Sequence, residues 1–251
     1  MPAWALRLGV FSVFLAVWEA LARASHSFLI PTFTETVGAI LQLAFVNRRI
    51  WEPLLISNQA LVLGYGLSVL IGVPLGLAAG RVEGLERAIN PYAAILLALP
   101  VAPLIPIVII ALGLTLAARV AIVVLFTVIF IFVNARAGVR NVDPQLIEMA
   151  VSFGASERQI WRKVVLPGAM PALFAGLRIG LGRAIAGMVV VELILVASGV
   201  GRLLLEFTGR LESDYVFATV AIVVGEALLL LELMRRIELR VAPWVRTRVV
   251  D

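Results

Sequence analysis

The sequence has no cysteine. That excludes disulfides, thiolate nucleophiles and cysteine metal sites. Its one histidine is His26, set between Ser25 and Ser27. A metal centre needs several such ligands, so this histidine reads as a solvated loop residue and no metal site is expected. Charge is also scarce. Only 15% of the 251 residues are Asp, Glu, Lys or Arg, and Lys163 is the sole lysine. No G-x-x-x-x-G-K-[ST] run occurs, so the chain does not cradle nucleotide phosphates in that way; no H-E-x-x-H, G-x-S-x-G or D-x-D cluster is present either. Catalysis by this chain alone has little to rest on, and no cofactor of its own is expected.

What is abundant is apolar side chain, at 62% of residues. A soluble domain of this length could not hide so much of it behind a polar surface. A bilayer-spanning helix needs roughly 20 mostly apolar residues, and several segments meet that length. The runs are too long and too continuous for a β-barrel, whose strands alternate. The expected fold is an all-α membrane protein of six transmembrane helices in one domain over residues 1–251, with spans near 4–21, 54–79, 91–114, 116–133, 172–196 and 215–234. The first apolar run resembles a signal peptide but lacks a small-x-small cleavage site, and it is expected to be retained as the first span. Residues 34–46 read as a capped amphipathic segment on the membrane surface. Gly64, Gly66, Gly72, Gly76 and Gly80 in the second span permit close helix contact. Pro100, Pro103 and Pro106 should kink or unwind the third, which is tolerated where protein or a water-filled cavity meets the freed carbonyls.

The net charge of +5 comes from twenty arginines and one lysine against sixteen acids. In a membrane protein this reports orientation rather than nucleic-acid binding, because basic residues collect on the cytoplasmic side. Six spans put both termini on one side. Arg7, Arg81, Arg87, Arg136, Arg140, Arg158, Arg162, Lys163, Arg235, Arg236, Arg240, Arg246 and Arg248 then share it, with Arg23, Arg48, Arg49, Arg119, Arg202 and Arg210 opposite. The majority side is expected to be cytoplasmic.

That side carries a polar island, residues 143–167. Asp143 suits an N-cap and Pro144 the first helical position. Gly154 suits a left-handed stop. Ser156 with Gln159 three residues on forms a capping box for a second short helix, which Pro167, after Leu166, is expected to end. Leu146, Ile147, Ala150 and Val151 read as one apolar stripe of the first helix, and Ile160, Trp161 and Val164 as a face of the second. The pair is either a surface connector or a docking site for a soluble partner.

Ionisable groups inside spans are costly in hydrocarbon and are therefore candidates for function. Arg178, Arg183 and Glu192 fall on the fifth span and Glu226 on the sixth. Each is either a contact on a solute pathway or gate, or half of a fixed interhelical ion pair. A carrier driven by an ion gradient through Glu192 and Glu226 is the alternative reading; the inverted repeat often seen in such carriers is absent. An intramembrane enzyme would need a nucleophile–base pair, which one loop histidine does not provide.

The segment EMAVSFGASERQIWRKVVLPGAMP resembles the "EAA" loop of ABC-importer permeases at Glu148, Ala150, Gly154, Leu166 and Pro167. The likeness continues through LIPTFTETVGAILQLA, GYGLSVLIGVPLGLAAG, LPVAPLIPIVIIALGL, NARAGVRNVDP and GLRIGLGRAIAGMVVVELI, in that order. The similar subgroup is the nitrate/sulfonate/taurine-type permease, with relatives serving riboflavin and thiamine-precursor pyrimidines. The resemblance implies a type I importer fold in the bacterial inner membrane, a second permease copy, lipid around it, and a periplasmic or lipid-anchored binding protein. It also implies partner ATPase chains that bind ATP and Mg and are engaged through Glu148, Met149, Ala150, Gly154, Ile160, Leu166 and Pro167. Three positions depart from the family pattern. Met149 stands where a second alanine is usual, and Leu112 where an aromatic often precedes the glycine. Ser57-Asn58-Gln59-Ala60 stands where S-L-x-R is frequent, which removes an arginine and adds Asn58 as a candidate pathway residue.

Overall fold

A computed structural model describes residues 3–25, 27, 29–195 and 198–244; His26, Arg246 and Arg248 lie outside them. Among the described residues all regular structure is helical. The helices are α1 (Ala3–Ser25), α2 (Phe33–Leu41), α3 (Trp51–Arg81), α4 (Glu83–Ala98), α5 (Ile105–Leu112), α6 (Leu116–Arg140), α7 (Pro144–Ser152), α8 (Glu157–Ile160), α9 (Leu166–Leu195), α10 (Gly199–Gly209) and α11 (Ser213–Val241). Five are long and apolar enough to cross a bilayer, and α4 with the helical segment Ala102–Leu112 makes a sixth candidate, bent by 93°.

That bend follows from proline chemistry. The residue before a proline is pushed out of the helical region, and Leu99, before Pro100, is extended at ψ 123°. Pro103 falls in the first turn of a short 3₁₀ segment and Pro106 in the first turn of α5, where the missing N–H leaves no broken bond. Residues 81–90, between the second and third expected spans, are largely helical, because α3 runs to Arg81 and α4 restarts at Glu83.

The chain divides into two compact units. One comprises residues 1–57 and 192–226, the other 58–191 and 227–251. In the first, α2 begins with a complete capping box: the Glu35 N–H donates to Thr32 Oγ1 at 3.1 Å and the Thr32 N–H donates to Glu35 Oε2 at 2.8 Å. Helix α1 meets it through the Trp18 indole, which donates to the Pro31 carbonyl at 3.1 Å and lies edge-on to Phe33. In the second unit α6 is the central element. A Cβ added at Gly76 of α3 would lie 2.5 Å from the Phe132 carbonyl oxygen, and one at Gly176 of α9 would lie 2.4 Å from Asn134 Cβ. Helices approach this closely only where side chains are absent. Gly64, Gly72 and Gly80 meet α6 in the same way, whereas Gly66 faces open space.

Two elements differ from expectation. Residues 199–209, which fall between the fifth and sixth expected spans, form a further helix, α10. Pro167 does not end the second short helix: α8 passes through a π turn, Trp161–Val165, straight into α9. In that turn the Leu166 N–H reaches back five residues to the Trp161 carbonyl. The wider turn changes the hydrogen-bond register just before Pro167, where the missing N–H and the bulky ring would otherwise break the helix.

Candidate functional site

The polar island is built as a rigid pair. The Asp143 carboxylate accepts from the Gln145 N–H at 2.9 Å, with Pro144 at the first helical position. Gly154 has φ +72°, and it closes α7 with two bonds, Ala155 N–H to the Ala150 carbonyl at 3.0 Å and Gly154 N–H to the Val151 carbonyl at 2.8 Å. This is a Schellman closure, and it satisfies carbonyls that the helix end leaves open. Gln159 Oε1 then accepts from the Ser156 N–H at 2.8 Å and from its hydroxyl at 3.1 Å.

The pair is seated on the bundle by an apolar cluster. Val139, Val142, Ile160, Val165 and Ala169 are buried, and Ile147, Ala150, Ala155, Trp161 and Val164 pack against them. Ile160 therefore holds the pair in place from beneath. The single stripe expected on α7 is divided. Ile147 and Ala150 turn inward, while Leu146, Met149 and Phe153 lie exposed at i, i+3 and i+7, Phe153 at 84% exposure. Val151 is also exposed, as is Glu148, so neither belongs to the inward face. Leu166 and Pro167 are half-buried at the joint with α9. Arg81 at the end of α3 reaches Glu157 at 2.5 Å, and Ser156, Arg158, Gln159, Arg162 and Lys163 line a polar groove beside it.

The intramembrane charges take different surroundings. Arg178 forms an ion pair with Glu238 of α11, a partner not anticipated, and Glu238 is only 5% exposed. Arg183 is exposed and lies over the Phe130 ring, 4.6 Å from its centroid. Glu226 is half-buried on α11. Glu192 is fully buried, and its Oε2 accepts from the Ser57 hydroxyl at 2.8 Å and the Gly201 N–H at 3.2 Å. Ser57 Oγ in turn accepts from the Val200 N–H at 3.0 Å. Glu192 thus caps α10 from outside that helix, its carboxyl oxygen meeting an N–H of the first turn that the helix leaves open. The fit is close: a Cβ at Gly199, whose φ is +71°, would lie 2.2 Å from Glu192 Oε1, and one at Gly201 would lie 2.5 Å from Glu192 Cβ. On another side Arg49 holds Glu206 of α10 at 2.8 Å, which keeps that carboxyl below its ordinary range. Asn58 lines a largely apolar cavity of about 290 Å³ with Tyr65, Leu181 and Leu233.

Sequence reasoning missed Ser57, Gly201 and Glu238. Gly199 and Gly201 following Ser198 were the available signal for a close backbone approach. Among the described residues no cluster of His, Cys, Asp and Glu is suited to a metal ion.

Comparison with known proteins gives one consistent answer. The family described as "Binding-protein-dependent transport system inner membrane component" matches residues 72–243. The taurine transport system permease protein TauC of Escherichia coli K12 is 29% identical over 245 residues, covering 95% of this chain and 89% of the relative. The riboflavin transport system permease protein RibX of Chloroflexus aurantiacus is 31% identical over 231 residues, covering 90% and 86%. The fold is shared with the inward-facing methionine ABC transporter MetNI, at TM-score 0.58 and 22% identity over 81% of this chain and 97% of that one. It is shared also with an amino acid ABC transporter, at TM-score 0.62 and 18% identity over 80% and 98%. Matched by the family over residues 72–243 and helical throughout its regular structure, the chain belongs to the binding-protein-dependent ABC permeases of the type I importer fold: it is a non-catalytic inner-membrane subunit that forms the pathway of an ATP-driven importer, served by a binding protein and by a partner ATPase that hydrolyses the ATP.

Proposed function

We propose that residues 143–167 are the coupling element that docks on the ATPase, and that the solute imported is a small organic molecule of the taurine, sulfonate, riboflavin or pyrimidine-precursor kind. The observation that carries the docking assignment is Phe153, 84% exposed at the tip of a helix pair closed at every joint. An exposed aromatic flanked by Leu146 and Met149 is the chemistry of a protein-interface anchor, and the cations Arg158, Arg162 and Lys163 alongside supply a polar rim. A lever transmits force only if it is stiff. The Schellman closure, the cap at Asp143 and the Arg81–Glu157 pair make it so.

On this reading the helix pair and both termini are cytoplasmic, in keeping with the arginine count. Arg183, with Gly182 and Ala186 on the same exposed side of α9, faces the water-filled pathway formed with a second permease copy, since a cation facing lipid at mid-helix is costly. The solute class rests on the named transport systems of relatives aligned over nearly the full chain.

The test is Glu148→Arg in the complex reconstituted with its ATPase and binding protein. Charge reversal on the docking helix lowers solute imported per ATP hydrolysed by about tenfold while the permease still inserts. Unchanged import, with the ATPase bound and stimulated by loaded binding protein, counts against the docking assignment.

A further inference from the structure

In an α-helix the carbonyl of residue i accepts from the N–H of residue i+4. For Pro167, in the first turn of α9, that donor position falls on Pro171, which has no N–H. The carbonyl at the joint between the helix pair and α9 is therefore orphaned by the sequence itself. An unmet backbone carbonyl near the hydrocarbon is expensive. The indole N–H of Trp244, just beyond the end of α11, donates to it at 3.3 Å. Eleven residues further along α9, about 16 Å at the helical rise, Arg178 pairs with Glu238 of α11. The end of α11 is thus tied to α9 at two points, and the outer one is the joint itself.

We propose that Trp244 is a positioning residue for coupling: it supplies the donor that Pro171 withholds and so links the helix-pair joint to α11 as well as to α9. The proposal rests on the reading of residues 143–167 as the ATPase dock. If it holds, movement of the dock pulls on two spans at once.

The experiment compares W244F, P171A and W244F/P171A in the full complex in proteoliposomes, reading solute imported per ATP hydrolysed. Phenylalanine keeps the apolar ring and removes the N–H; alanine at 171 restores the in-helix donor. W244F lowers the ratio about fivefold, as loss of one neutral hydrogen bond implies. P171A stays near the unsubstituted value, and the double variant recovers to the level of P171A. Assembly of W244F only when residue 171 is alanine supports the same assignment. An equal loss in both backgrounds overturns it and leaves Trp244 as an interfacial anchor; an unchanged ratio in W244F overturns it as well. E148R, run in parallel, separates the two readings. Loss of coupling there with W244F unaffected removes only the role of Trp244, whereas normal coupling in E148R removes the dock.

Discussion

Glu192 shows what a single residue in a span is held by. Its carboxylate is fully buried, yet it accepts from Ser57 and from the first turn of α10, and two glycines leave room for it. A buried charge without such donors would cost several kcal/mol. The acid was legible in the sequence as a candidate. Its surroundings were not, because Ser57 lies 135 positions away and the helix it caps falls between the expected spans. Gly201→Ala would drive a methyl to 2.5 Å from Glu192 Cβ, against the Glu192–Leu193 backbone, which has little room to give. Thermal unfolding of the purified chain should show a loss of about 1–3 kcal/mol, the usual cost of overpacking. A change of only about a few tenths of a kcal/mol, the range of a neutral surface substitution, would mean the α10 contact is looser than described. Arg178 teaches the converse. It was a candidate for the pathway, and it has a buried carboxylate partner in Glu238.

At the scale of elements, caps were the most readable features. Asp143, Pro144, Gly154 and the Ser156–Gln159 pair all act where their chemistry suggested, since caps depend on neighbours a few residues apart. The end of the second short helix was misread for an equally physical reason. Proline breaks a helix when the register is kept, and here a π turn changes the register first. The divided apolar faces of α7 were hidden because periodicity groups apolar residues without saying which of them meet the bundle and which face out. Gly154→Ala tests the stiffness of the pair. A left-handed alanine costs about 1–2 kcal/mol, so the Gly154 and Ala155 amides that close α7 should exchange hydrogen roughly tenfold faster, a factor that corresponds to 1.4 kcal/mol. Unchanged protection would show that the closure does not depend on the glycine.

For the molecule as a whole, apolar content announced the membrane, and the resemblance of residues 148–171 to the EAA loop pointed to a partner ATPase. Helix packing through α6 was partly foreseeable from the glycines of α3, while the matching glycines of α9 were not singled out because only tertiary contact gives them meaning. A carrier driven by Glu192 and Glu226 would give uptake that collapses with an ion gradient; an ABC permease gives uptake that follows ATP. The central claim is narrower, that the exposed tip at Phe153 is where the ATPase sits. The chain contains no cysteine, so Phe153→Cys creates its only thiol. The most direct measurement is a photoactivated crosslink, from a short thiol-reactive photoprobe attached at that position in the assembled importer, with Leu211→Cys, exposed in the turn after α10, as control. A permease–ATPase adduct is expected from position 153 and none from 211; no adduct at 153 in a complex that hydrolyses ATP and imports solute would rule out the dock at Phe153.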